Sequence, residues 1–327
     1  MKKLRRRHVL HAGAAAALGA TAAVRAQEDS WPSRPLKLVV VYPAGGVSDL
    51  VARALATPLG ALLGQPVIVE HRPGAGGAVG MAALARATPD GHTLAFSAIT
   101  PLTLHPLVAR VPYDPQTDFL PIAGVMRTPV LVAGTPALAG RDFAAVLRGA
   151  EARPGALRWA SSGVATTGHL VLAQVRRLAD VDITHVPYQG GGRQLNDALA
   201  GQFEVLSTNV APLQLQYIAA RRLWPLAVGA EARLEALPRV PTLAELGFAE
   251  ANVDSLFGIF APARTPLDVA QRLNRAVGEV LAGAELRRIL REAYNTPADG
   301  GLADFAREIE EDDERNRRLI AGRRTLD

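Results

Sequence analysis

Short apolar runs alternate along the chain with stretches whose apolar residues recur at helical spacing. Leu36-Lys37-Leu38-Val39-Val40-Val41 reads as a buried strand, and Asp49–Leu63, after Gly45-Gly46, as a helix. Pro66–Glu70 is a second strand. A glycine-rich turn leads into a helix over Ala78–Ala87, and Thr93–Phe96 is a third strand after the turn Pro89-Asp90-Gly91. This β-α-β-α-β order predicts a parallel sheet with helices on both faces. A second unit of the same kind follows. Its strands are Val130–Val132, Arg158–Ala160, Ile183–Val186, Glu204–Leu206 and Trp224–Val228, with helices over Phe143–Ala150, Thr167–Leu178 and Gln194–Ala200. Leu256–Phe260 is a last strand, and Leu267–Ala282 and Phe305–Leu319 are amphipathic helices. Two α/β units without a flexible linker predict two lobes joined by crossing strands, with a cleft between them.

The first 26 residues have a different pattern. A basic start is followed by an alanine-rich apolar stretch, Val9–Val24, and then Val24-Arg25-Ala26, a small-x-small cleavage pattern. Residues 1–26 therefore read as a signal peptide cut near Ala26, and the mature chain is expected in the periplasm. Arg6-Arg7-His8-Val9-Leu10 resembles a twin-arginine export motif; the general secretory route is the alternative.

That segment changes the charge picture. The whole chain carries 36 basic and 31 acidic residues, but the leader holds six of the basic ones and no acid, which leaves 30 against 31. A nucleic-acid-binding protein keeps a basic excess in its folded part, so no nucleic-acid partner is expected. With no cysteine, disulfides, thiolate metal sites and cysteine nucleophiles are excluded. The seven histidines form no helical i,i+4 ligand pair in the mature chain, so no metal is expected.

Three glycine-bearing loops sit between a strand's carboxyl end and a helix, where open α/β sheets bind ligands. In Tyr42-Pro43-Ala44-Gly45-Gly46-Val47-Ser48-Asp49, free N–H groups at the helix start suit an anion. Asp49 lies four residues before Arg53, which favours an ion pair that tethers the loop. Ser161-Ser162-Gly163-Val164-Ala165-Thr166-Thr167-Gly168-His169 offers hydroxyls and N–H groups at another helix start. Its serines beside His169 also allow an exported hydrolase, although no G-x-S-x-G elbow is present. Val186-Pro187-Tyr188-Gln189-Gly190-Gly191-Gly192 is the third loop. A further run, Gly74-Ala75-Gly76-Gly77-Ala78-Val79-Gly80, is off register for a dinucleotide fingerprint and reads as a tight turn. No cofactor is expected.

Taken in order, these motifs resemble the Bug family, the TctC-like substrate-binding proteins of tripartite tricarboxylate transporters. The likeness runs from Trp31-Pro32 nearly to the C-terminus. It includes Pro43-Ala44-Gly45-Gly46-x-x-Asp49, Arg72-Pro73-Gly74-Ala75-Gly76-Gly77, Pro89-Asp90-Gly91, Ser161-Ser162-Gly163, His185-Val186-Pro187-Tyr188-x-Gly190 and Pro241-Thr242-x-x-Glu245-x-Gly247. The resemblance implies an α/β, two-lobed type II periplasmic-binding-protein fold with its ligand cleft between the lobes. Lobe 1 would comprise 27–126 and 249–327, lobe 2 would comprise 127–248, and the hinge would lie near Val125 and Asn252. It implies a monomeric receptor, not an enzyme, that delivers a small mono- or dicarboxylate to a permease with one large and one small membrane subunit. Sensing, with the liganded protein docking on a signalling receptor, is the alternative use of the same fold. The ligand would meet Tyr42, Ala44, Gly45, Gly46, Ser48, Ser97, Ile99, Ser161, Ser162, Gly163, Thr166, Thr167, His169, Tyr188, Gly190, Gly191 and Asn209. Asp49, Arg53 and His71 would support the cleft.

Some positions depart from the family pattern. His71 stands where Asn is usual, Ile99 where a small hydroxylated residue is common, Val164 in place of Asn, and Ser207-Thr208 in place of a bulky-acidic pair. Ile99 and Val164 point to a more apolar cleft, and so to a ligand with an aliphatic or aromatic body.

Overall fold

The computed structural model describes residues 31–321 and residue 326; the proposed signal peptide lies outside them. Strand β1 (Leu36–Val40) pairs in parallel with β2 (Val67–His71) on one side and β3 (Thr93–Ala98) on the other. Leu36, Leu38, Val39 and Val40 are all buried, because helices cover a parallel strand on both faces. Helix α1 (Val47–Leu63) connects β1 to β2 and turns Val51, Leu55, Leu59 and Leu63 into the core. Helix α2 (Ala78–Ala85) connects β2 to β3, and two short helices follow, α3 (Thr100–Thr103) and α4 (His105–Val108).

The next strand, β4 (Phe119–Gly134), is 16 residues long, and the hydrophobic pattern reveals only its last part. The second unit then runs through α5 (Phe143–Ala152), β5 (Arg158–Ser161), α6 (Thr167–Ala179), β6 (Thr184–Pro187), α7 (Gly191–Leu199), β7 (Val205–Asn209), α8 (Pro212–Ala219) and β8 (Trp224–Gly229). The chain returns through β9 (Asp254–Pro262) and ends with α9 (Leu267–Ala282), α10 (Ala284–Glu292), β10 (Thr296–Pro297) and α11 (Leu302–Leu319). Among the described residues, no helix is long and apolar enough to cross a membrane.

The strand order is β2-β1-β3-β9-β4-β7-β5-β6, with β8 and β10 also paired to β4. The two lobes are two halves of this path. From Phe119 to Pro129, β4 runs antiparallel to β9, and the last pair is Pro129 with Asp254. From Val130 onward it pairs instead with β7 and β8. The strand pairing thus changes sheet at Pro129–Val130, a few residues past the expected crossing near Val125. Each lobe has its own core: Leu38, Leu55, Phe96 and Leu273 belong to one, and Val132, Trp159, Val171 and Leu226 to the other. Helix α11 serves both. Phe305 near its start packs on Phe260, while Leu319 and Ile320 at its end join the second core, and Gln174 Nε2 donates to Leu319 O.

Candidate functional site

Four helices, α1, α6, α7 and α8, begin at one cavity between the lobes. Their first turns contribute Val47 and Ser48, Thr167 and Gly168, Gly191 and Gly192, and Leu213 and Gln214 to its wall. None of the four has a side chain capping its N-terminus. His169 N–H and Gln214 N–H donate back to Thr166 O and Ala211 O, and Pro212 has no N–H. The N–H groups of Val47, Ser48, Thr167, Gly168, Gly191, Gly192 and Leu213 are the first-turn donors without an acceptor in their own helix, and the helix dipole places partial positive charge there. The cavity has a volume of about 230 Å³, which suits a small molecule, and no charged side chain is among its lining residues. Converging N–H groups and hydroxyls without a fixed cation hold an anion through hydrogen bonds alone.

The first loop is held from behind. Asp49 Oδ2 accepts from the Gly45 N–H at 2.9 Å, and Oδ1 accepts from Arg53 Nε at 2.7 Å. His71 Nε2 lies 2.8 Å from the same Oδ1. Burial alone would raise the Asp49 carboxyl's pKa, but the hydrogen bonds from Gly45, His71 and Arg53 outweigh it and hold the group below its usual range. Asp49, Arg53 and His71 thus sit behind the loop, not in the cavity wall. Tyr42 closes the first-lobe side, its ring edge-on to Phe257. Burial pushes its hydroxyl up to about 12, against the opposing hydrogen bonds of Ser97, Thr100 and Ala98, so it stays protonated at neutral pH.

Of the residues singled out from sequence, Tyr42, Gly45, Gly46, Ser48, Ser162, Thr166, Thr167, Gly190, Gly191 and Asn209 line this cavity. The others lie elsewhere. Ala44 is exposed and is not among the lining residues. Ser97 is buried and donates to Ala98 O at 2.7 Å, beneath Tyr42. Ile99 borders a separate, smaller polar space with Arg127, Asp254 and Asp312. Ser161 Oγ is 2.8 Å from His185 Nε2, and His169 stacks on His185 at 3.8 Å while its Nδ1 accepts from the Ala165 N–H. Tyr188 donates to Asp197 at 2.7 Å. Gly163 sits at the lobe seam, 3.5 Å from Gly76 Cα to where its Cβ would be. Val164 also lies at that seam, partly exposed. Neither Ile99 nor Val164 faces the cavity, so the two substitutions that suggested an apolar cleft do not supply one. Its apolar wall comes instead from Ala98, Leu195, Ala211, Leu213 and Phe257.

Sequence reasoning missed Thr100, Asn196, Thr208, Gln214, Ser255 and Phe257, which also line the cavity. Ser255 and Phe257 come from β9, over 200 residues from the first loop, and nothing local marks them. Helix α8 carried the one usable signal, Pro212 at its first position, a helix-start preference.

The lobes touch beside the cavity. Gly76, with φ +59, packs so closely that a Cβ there would overlap the Val164 carbonyl oxygen. Gly190, with φ +111, meets Pro43, whose Cγ is 2.6 Å from where a Cβ would stand. The glycine run that reads as a tight turn thus forms part of the lobe seam.

Two α/β lobes that meet around a cavity lined by hydroxyls, amides and helix starts, without a charged side chain, define a solute-binding protein of the periplasmic type. Residues 51–324 match the Tripartite tricarboxylate transporter family receptor, and the chain belongs to that family. Protein BugT of Bordetella pertussis is 34% identical over 266 residues, 80% of this chain and 81% of its own. An R. palustris protein solved with adipate is 31% identical, with a TM-score of 0.83 over 89% of this chain and 97% of its own. MatC of Rhodopseudomonas palustris, solved with bound malate, is 27% identical, with a TM-score of 0.83 over 88% and 99%. The chain is a solute receptor for a tripartite transporter and not an enzyme; the hydrolase reading is set aside.

Proposed function

We propose that this chain is exported to the periplasm, closes its two lobes on a small carboxylate, and presents it as a monomer to one large and one small permease subunit. The observation that carries the ligand class is the convergence of four uncapped helix starts on a cavity without a charged side chain. An anion gains most from such a wall, a cation nothing. Adipate and malate in the structural relatives support a small acid. The predicted contacts on the cavity wall, Tyr42, Gly45, Gly46, Ser48, Ser162, Thr166, Thr167, Gly190, Gly191 and Asn209, are proposed as the ligand's first contacts. The strand pairing supports lobes that divide at Pro129–Val130 and Val253–Asp254, with those two crossings as the hinge.

A thermal-shift panel on residues 27–327, purified under denaturing conditions and refolded to remove any retained ligand, tests this. A carboxylate at 100 times its Kd stabilises by about 2.7 kcal/mol. Stabilisation by one class of acid, with the acid recovered unchanged, is expected. Stabilisation only by cations, neutral sugars or nucleotides would overturn the reading.

A further inference from the structure

Leu213, in the first turn of α8, differs from Val47, Leu195 and Phe257 on the same cavity wall. Those three are at most 8% exposed, so the lobe cores already cover their surface. Leu213 is 45% exposed. Its place on the helix explains the difference. Helix α8 turns Leu215 and Ile218 to the second lobe's core. Leu213 lies about 200° round the helix from Leu215, on the other face. Ala211, just before the helix, packs against the first lobe's core, so this helix start stands where the lobes meet. Leu213 also carries one of the first-turn N–H groups left without an acceptor in the helix.

Single exposed leucines are ordinary on a protein surface. On the wall of a ligand cavity such a side chain has a definite effect. Water leaves it when a ligand enters, and ligand carbon placed against it removes apolar surface from water on both sides of the contact. Covering the exposed part of this leucine is worth about half of a full burial, or about three- to tenfold in Kd. Side chains on a helix lean toward its N-terminus, so the leucine stands over the start of α8. An acid held by the Leu213 N–H therefore brings the carbons that follow its carboxylate against the same residue's side chain.

We infer that Leu213 is a specificity-determining residue: its exposed side chain selects an acid with an extended apolar carbon body over short acids. This deepens the carboxylate-receptor reading above and rests on it. The three buried apolar side chains on the wall cannot make this selection, because they have almost no surface left to cover.

The test is titration calorimetry on two homologous series, acetate to hexanoate and succinate to pimelate. Wild type, Leu213→Ser and Leu213→Met are compared. Serine removes the apolar surface at an exposed position, and methionine keeps it. In wild type, affinity should rise at least about tenfold from the shortest to the longest acid of one series. In Leu213→Ser the longest acid of that series should weaken about three- to tenfold and the shortest by less than about twofold. Leu213→Met should keep the wild-type preference. Ligand-free Leu213→Ser should melt within about 2 °C of wild type, since little packing is lost. A wild type indifferent to chain length, equal losses for short and long acids in Leu213→Ser, loss of the preference in Leu213→Met, or a ligand-free serine variant that melts well below wild type would overturn the assignment. Binding of no acid by wild type would instead overturn the carboxylate reading itself, and the selection with it.

Discussion

Asp49 shows how one residue can matter to binding without touching a ligand. Its carboxylate fixes the Gly45 N–H and joins the loop to Arg53 and to His71 on the neighbouring strand. Asp49→Asn is expected to cost about 1–2 kcal/mol of stability at neutral pH, because charge-assisted bonds are replaced by weaker ones. Because the Asp49 carboxyl is held below its ordinary value, its stabilisation is complete above about pH 4 and is lost as pH falls through the lowered value. Chemical denaturation across acidic pH should therefore show a wild-type loss that the Asn variant lacks. The spacing of Asp49 and Arg53 made their pairing legible in the sequence, since i,i+4 neighbours share a helix face. The place of His71 in the same network was not, because β2 lies beside β1 only in the folded sheet. His169 shows the opposite limit: a histidine opening a helix next to serines invites a chemical role, but the fold turns it away from the cavity onto His185.

At the scale of elements, the uncapped helix starts carry the proposed preference for an anion. Gly46, the N-cap of α1, has φ −88 and ψ 176, the extended conformation that capping residues use. A Cβ there would have no neighbour closer than 3.9 Å, so a side chain fits. Gly46→Asp is expected to cap α1 and hold or slightly raise the melting temperature, while its carboxylate occupies the N–H groups meant for the ligand. Carboxylate affinity should fall at least about tenfold, or roughly 1.4 kcal/mol, by calorimetry. Affinity left intact would mean that the start of α1 does not hold the acid. Most elements were legible because apolar period and glycine punctuation agree. The first half of β4 was hidden by Pro121, Gly124 and Pro129, which argue against a strand when read alone. The sheet accommodates them through register shifts opposite β9, between Pro121 and Ala123 and between Gly124 and Met126.

At the scale of the molecule, the proposed closure of the cavity depends on the lobe seam. Gly76 is not in the cavity wall, yet no side chain fits between it and the Val164 carbonyl. Gly76→Ala is expected to hold the lobes apart, weaken carboxylate binding about tenfold or more, and abolish ligand-induced compaction in small-angle scattering. An alanine variant that compacts like wild type would show that the lobes close without this contact. The sequence by itself determined the two α/β units, the loops that bear the helix starts and the family, because those depend on local period, turn residues and motif order. Only the tertiary structure decided which hydroxyls, amides and rings face one another across the cavity, and that His169 and Ile99 lie outside it. Those outcomes depend on how β9 and β4 bring distant segments together, and contacts between distant segments leave no periodic trace along the chain.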